Sequence, residues 1–153
     1  MLPVTTASAY LGRYPEYIAK NLGTLESDVA TWLGRGKNYG RLPKDIWGDI
    51  FGKYLALADP AKALAGWERW GAVELGETRT HTLHWMLSLQ QMGTPDFSVT
   101  ADSTFYAVFR NPDGTRTHLA YNASRAPITV RFSDGKSLSV PPGELVSSAP
   151  AAR

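Results

Sequence analysis

At Gly93 the spacing of apolar residues changes, and that change limits what this chain can fold into. Before it, apolar side chains recur every three or four residues, the repeat of a helix with one buried face. After it they alternate, with Phe105, Ala107 and Phe109 on one side of a run and Tyr106 and Val108 on the other, the repeat of a strand. Helices first and antiparallel strands last make an α+β order with no internal repeat. We therefore expect a helical part over 1–93, an antiparallel β part packed on it over 94–146, and a disordered tail over 147–153.

The helical half divides at its capping and breaking residues. Pro15 suits a first helical turn, and Ile18, Leu22, Leu25, Val29, Trp32 and Leu33 predict a helix over about 15–33 in spite of Gly23. Gly34 and Gly36 end it, and RGKNYGRLP (35–43) reads as a loop. Ile46, Ile50, Tyr54 and Leu57 predict a second helix reaching Ala58, with Gly48 and Gly52 giving its wall small surfaces. Asp59-Pro60, a capping residue followed by proline, starts a short helix carrying Ala63, Leu64 and Trp67. The stretch ETRTHTLHWMLSLQQMG supplies the last helix, from about Glu77 to Gln91.

In the strand half, Asn111-Pro112-Asp113-Gly114 is a turn that returns the chain along Thr115 to Asn122. Ile128, Val130 and Phe132 lead to a second turn at Ser133-Asp134-Gly135-Lys136, and Leu138 and Val140 follow it.

With 153 residues, 43% of them hydrophobic, the chain holds enough apolar matter for one ordinary core or for a helical and a strand part, not for two full domains. Sixteen basic residues against fourteen acidic ones are spread along the sequence, so there is no nucleic-acid footprint. The absence of cysteine excludes disulfides, thiolate metal sites and cysteine nucleophiles. No apolar run approaches the roughly 20 residues of a membrane span, and the first residues lack the pattern of a signal peptide. Asn122-Ala123-Ser124 fits a glycosylation sequon by its letters.

The last helix carries the residues of chemical interest. Leu83, Met86, Leu87 and Gln90 share one stripe, and Glu77, His81, His84, Trp85 and Ser88 share another. Glu77, His81 and His84 lack the spacing of zinc-hydrolase ligands, so no metal site is expected. No serine sits in the Gly-x-Ser-x-Gly turn of a nucleophile elbow. Two readings of the stripe stay open: histidines satisfying buried hydrogen bonds, or a carbohydrate surface in which aromatic faces stack on sugars and polar neighbours orient hydroxyls. Five tryptophans and several tyrosines, among them Tyr10, Tyr14, Tyr17 and Tyr54, make the helical half rich in such rings.

Three blocks in order, MLPVTTASAYLGRYPEYIAKN (1–21), YLALADPAKALAGWE (54–68) and the long run from ETRTHTLHW to ITVRFSDG (77–135), resemble the C-terminal region of endo-β-1,3-glucanases of glycoside hydrolase family 81. LGTLESDVATWLGRGKNYGRLPKDIW, between the first two, departs from the pattern. The resemblance implies a large enzyme with an N-terminal β-sandwich and an (α/α)6 barrel, hydrolysing internal β-1,3 bonds with inversion and without a cofactor. The helices here would close that barrel, and the strands would pack outside it.

Inversion needs a protonated acid at the leaving oxygen and a carboxylate activating water, roughly 6.5–9.5 Å apart. The resemblance puts both in preceding polypeptide, because the family's ESSSEA-like motif is not found here. No catalytic residue is therefore expected among Glu74, Glu77, Asp96 and Asp102; the last two suit turns or strand ends, and Glu77 a helix start. The expected partners are β-1,3-glucan and the N-terminal part of the enzyme, with no nucleic acid and no membrane. If that enzyme is exported, its signal lies elsewhere. The candidate sugar-binding residues are Tyr10, Trp47, His81, His84 and Trp85. Two other functions fit the sequence: a stand-alone glucan-binding module, and a structural domain whose edge strands near 104–121 pair with another chain.

Overall fold

The computed structural model describes Val4 and residues 6–34, 48–67 and 78–148. The chain forms two compact units, Met1–Gln91 and Met92–Arg153.

In the first unit a 3-10 helix, Thr6–Arg13, leads into α1, Pro15–Gly34, followed by α2, Gly48–Ala56, α3, Pro60–Trp67, and α4, Arg79–Met92. Pro15 opens α1 with Glu16 in its first turn, where a negative charge suits the helix dipole. Ile18 is fully buried, and Leu22, Leu25 and Val29 continue its stripe half-buried, as their spacing predicts. The side chains of Trp32 and Leu33, and the whole of the expected loop 35–43, lie outside the described residues. Asp59 caps α3: its Oδ1 accepts from the Lys62 N–H at 2.9 Å, one residue ahead of Pro60 at the first helical position.

Helix α4 turns a different edge inward from the one its apolar spacing suggests. Thr82, Met86 and Leu89 are its buried residues, while Leu87 is exposed. The cause lies across from it. A Cβ placed on Gly52 of α2 would stand 2.5 Å from Met86 Cε, so the bare glycine is the seat that receives Met86. Seating Met86 there swings Leu87 outward. Among the described residues, no helix is long and apolar enough to cross a membrane.

The second unit is two antiparallel sheets. One has the order β1 (Thr94–Pro95), β2 (Tyr106–Arg110), β3 (Arg116–Tyr121) and β6 (Leu145–Ser147); the other pairs β4 (Ile128–Arg131) with β5 (Ser137–Val140). Val108 and Ala120 from the first sheet meet Val130, Phe132, Leu138 and Val140 from the second, with Val99, in one apolar cluster. The opposite face of β2 and β3 leaves Ala107, Phe109 and Leu119 in an open apolar trough rimmed by exposed Phe105, Tyr121 and Leu145. The longer strands β2 and β3 are interior to the sheet, and its edges are the short β1 and β6. The strands expected to be edges near 104–121 are thus flanked on both sides, β1 pairing with Phe109 and Arg110 of β2 and β6 with Leu119 to Tyr121 of β3. Strand β6 is a further departure: Ser147 lies in it, and the Ser148 N–H donates to the His118 carbonyl at 2.8 Å, so pairing runs two residues into the stretch expected to be a tail. Residues 149–153 lie outside the described residues.

A chain of charges ties this unit together. Asp96 Oδ2 accepts from Arg110 Nε at 2.9 Å and from Arg116 Nε at 2.9 Å, and Asp96 Oδ1 accepts from the Ser98 N–H and hydroxyl. Burial pushes the Asp96 carboxyl up, but the hydrogen bonds from Ser98, Arg116 and Arg110 outweigh it and hold the group well below the usual carboxylate range. Asp134 is shifted the same way: burial raises it, and the hydrogen bond from buried His118 Nε2 at 2.9 Å leads the effects that lower it. A carboxyl whose pKa is lower folded than unfolded adds stability that is present above the unfolded value, about 4, and is lost as the pH falls toward the folded one. The urea midpoint of this unit is accordingly expected to hold steady above about pH 5 and to fall below about pH 4. Asp96→Asn should lower the neutral-pH midpoint and flatten the acid slope. A slope unchanged by Asp96→Asn would show that other groups govern the acid response.

Candidate functional site

In the first unit, polar groups gather where α2 crosses α4. Each helix contributes residues one turn apart. Asp49 and Lys53 lie at i and i+4 on α2, and His81 and Trp85 lie at i and i+4 on α4.

Lys53 is only 2% exposed, and its Nζ donates to His81 Nδ1 at 3.2 Å. Its carbonyl oxygen accepts from the Trp85 indole Nε1 at 3.1 Å. That oxygen is available because the last turn of α2 tightens, with the Leu57 N–H bonding to the Tyr54 carbonyl at 3.2 Å, three residues back. Asp49, 6% exposed, is the anchor at the other end. It accepts from its neighbour's N–H, Ile50, at 2.8 Å, and from the Thr78 N–H, just ahead of α4, at 3.4 Å. A carboxylate in the first turn of α2 also faces that helix's positive end. Thr82, on the buried side of α4, has no hydrogen-bond partner for its Oγ1 among the described residues.

Of the sequence-derived candidates, the structure brings His81 and Trp85 together. His84 is exposed on the same helix, and no hydrogen bond joins it to the others among the described residues. Tyr10 is 62% exposed on the 3-10 helix, ahead of an exposed edge-to-face pair, Tyr14 and Tyr17, with ring centroids 5.5 Å apart. Trp47 lies outside the described residues. Asp49 and Lys53 escaped notice because an acid and a base at i, i+4 ordinarily describe a solvated helix face. The available signal was their setting, since glycines precede both in GDIFGK and let a neighbouring helix approach closely enough to bury them.

The arrangement offers an imidazole beside an indole ring, with the buried Lys53 ammonium behind them aimed at His81. His81 is exposed and Trp85 half-buried, so a ligand can reach both. Such a surface suits a neutral, hydroxyl-rich molecule better than proton-transfer chemistry, because the nearest carboxylate of the cluster, Asp49, is spent on backbone N–H groups. The acids of the second unit are likewise engaged. Asp96 holds two arginines, and Asp102 Oδ1 accepts from the Arg131 N–H at 2.8 Å, the strand-end role its position suggests. Glu74 and Glu77 lie outside the described residues. Among the described residues, no group of three or more metal-ligating side chains comes together.

No family model matches the chain. A glucan endo-1,3-beta-D-glucosidase of Thermobifida fusca is 42% identical to it over 149 residues, which cover 95% of this chain and 18% of that protein. A second protein of the same description, from Acetivibrio thermocellus, is 42% identical over 147 residues, covering 96% of this chain and 18% of its own length. Among solved structures, a mutant of the glycoside hydrolase family 81 enzyme from Clostridium thermocellum superposes with a TM-score of 0.71 at 39% identity, over 96% of this chain and 19% of that one. The chain thus spans less than a fifth of the length of the relatives it matches. These likenesses place it among the glycoside hydrolases. It belongs to family 81, and corresponds to the C-terminal region of the endo-1,3-β-glucanases of that family.

Proposed function

We propose that this chain supplies the C-terminal part of an inverting endo-β-1,3-glucanase acting on laminarin-like β-1,3-glucan. On this reading its helices close the (α/α)6 barrel, its strands pack outside the barrel, and the acid and base are carried by preceding polypeptide. The observation that carries the reading is the 42% identity to curated glucan endo-1,3-beta-D-glucosidases along nearly the whole chain. The engagement of Asp96 and Asp102 in ion pairs and backbone contacts supports the placement of the proton-handling pair elsewhere. Tyr10, Trp47, His81, His84 and Trp85 are its sugar-binding residues, with His81 and Trp85 at the centre. The apolar trough of the strand unit fits a surface that meets other parts of the enzyme.

The purified 153-residue chain is expected to release no reducing ends from laminarin, whereas the chain fused behind the preceding region of a family 81 relative should cleave it. The first sugar released by that fusion should be the α-anomer, seen by proton NMR before mutarotation. Turnover by the 153-residue chain alone would overturn the placement of the catalytic carboxylates. The exposed Tyr10, Tyr14 and Tyr17 favour a second reading, a glucan-binding module. It requires the isolated chain to bind laminarin without cleaving it.

A further inference from the structure

We infer that Lys53 is a positioning residue that fixes His81 as the tautomer carrying its proton on Nε2, so that His81 meets a ligand as a hydrogen-bond donor. The argument starts from what each group can do. A lysine ammonium has donors and no acceptor, so the 3.2 Å contact from Lys53 Nζ needs a lone pair on His81 Nδ1. A neutral imidazole with its lone pair on Nδ1 carries its hydrogen on Nε2. Among the described residues His81 Nε2 has no hydrogen-bond partner, so that hydrogen is not claimed by a neighbour there.

The holder is itself held. Lys53 is buried, α2 and α4 are kept in close approach by the seat of Met86 at Gly52, and Asp49 fixes the start of α4 through the Thr78 N–H. The charged and titratable groups of the two helices at this crossing are Asp49, Lys53 and His81. Among the described residues no carboxylate stands within ion-pair distance of Lys53, and the ring nitrogen is the partner its ammonium has there. The same residue orients Trp85 through its carbonyl, which sets the indole edge toward α2. One lysine therefore aligns a donor and an aromatic ring, the pairing that recognises an oxygen of a neutral sugar next to an apolar pyranose face. The ligand half of this inference rests on the proposed glucan function; the tautomer half does not.

Long-range proton–nitrogen NMR correlation on the chain labelled with 15N-histidine tests it. At a pH where the ring is neutral, His81 is expected to show an unprotonated Nδ1 and a protonated Nε2, and Lys53→Met should return a mixture of tautomers at His81 while His84 stays unchanged. Titration with laminarihexaose should shift His81 Nε2 and the Trp85 indole, with binding weakened about tenfold in Lys53→Met. A protonated Nδ1 in the unsubstituted chain, or a pattern unmoved by Lys53→Met in a folded variant, overturns the positioning role. Should Lys53→Met fail to fold by circular dichroism, Lys53→Gln takes its place in the same comparison, because neutral histidine in water already favours the Nε2 proton and only the change on substitution assigns the role to Lys53. The expected tautomer with no response to millimolar hexaose overturns the ligand role of His81, while leaving Lys53 as the group that sets the ring.

Discussion

Asn122→Ala is expected to cost the strand unit about 3 to 4 kcal/mol, a large part of the stability of a small domain. The Asn122 side chain is 0% exposed and uses all of its hydrogen-bonding capacity. Its Nδ2 donates to the Ala126 carbonyl at 2.8 Å and to the Val140 carbonyl at 2.9 Å, and its Oδ1 accepts from the Ser124 N–H at 2.9 Å and from the Ser124 hydroxyl at 2.7 Å. Its backbone joins the Gly143–Glu144 turn on both sides. The residue thus connects the end of β3, the link to β4 and the end of β5. Alanine would leave the Val140 carbonyl without a partner in a dry setting, where an unsatisfied buried group costs about 1–3 kcal/mol, and would also take the acceptor from the Ser124 N–H and hydroxyl and open a void in place of the amide. Urea denaturation followed by far-ultraviolet circular dichroism measures the loss, and Asn122→Asp should be at least as damaging because it removes both donors and buries a charge. A loss below about 1 kcal/mol would show that these bonds are replaced by water. The same geometry explains the sequon. The folded chain has no free Asn122 amide to offer a glycan.

Gly93→Ala is expected to be comparably severe, at roughly 3 kcal/mol or more. Gly93 has φ +93°, and a Cβ there would lie 2.3 Å from the Arg110 carbonyl oxygen and 2.5 Å from its carbonyl carbon. Both atoms are backbone, in the strand register that pairs Thr94 with Arg110, so neither can move aside without opening β1 from β2. Gly114→Ala is the matching control. Its φ of +83° is just as unfavourable for alanine, but nothing lies within 4 Å of the added carbon, so only the backbone penalty of about 1 kcal/mol applies. The gap between the two variants in thermal or urea unfolding isolates the clash. Equal losses would mean that the sheet yields at Arg110.

The period change at Gly93, the capped start at Asp59-Pro60 and the turns at Asn111–Gly114 and Ser133–Lys136 were legible in the sequence because each depends on neighbours along the chain. So was the assignment of Val108 and of Phe109 to opposite faces of β2. Strand β6 was not, since three residues after Pro141-Pro142-Gly143 have no period to read; they form a strand because β3 offers an unpaired edge. The inward edge of α4 was hidden for a similar reason. Its rotation is set by the bare surface of Gly52 on another helix, and no count within α4 can reveal it. In the candidate site, His81 and Trp85 could be singled out by residue type and spacing. The lysine that holds both could not, because its burial is a property of two helices meeting.

The seat at Gly52 also bears on how firmly the polar cluster of α2 and α4 is held. A methyl group there would meet only the terminal carbon of Met86, the residue directly after Trp85, and that flexible side chain can turn aside without moving the backbone of α4. The reach of Lys53 to the imidazole, and of the indole to the lysine carbonyl, is therefore cushioned by a thioether against small changes at position 52.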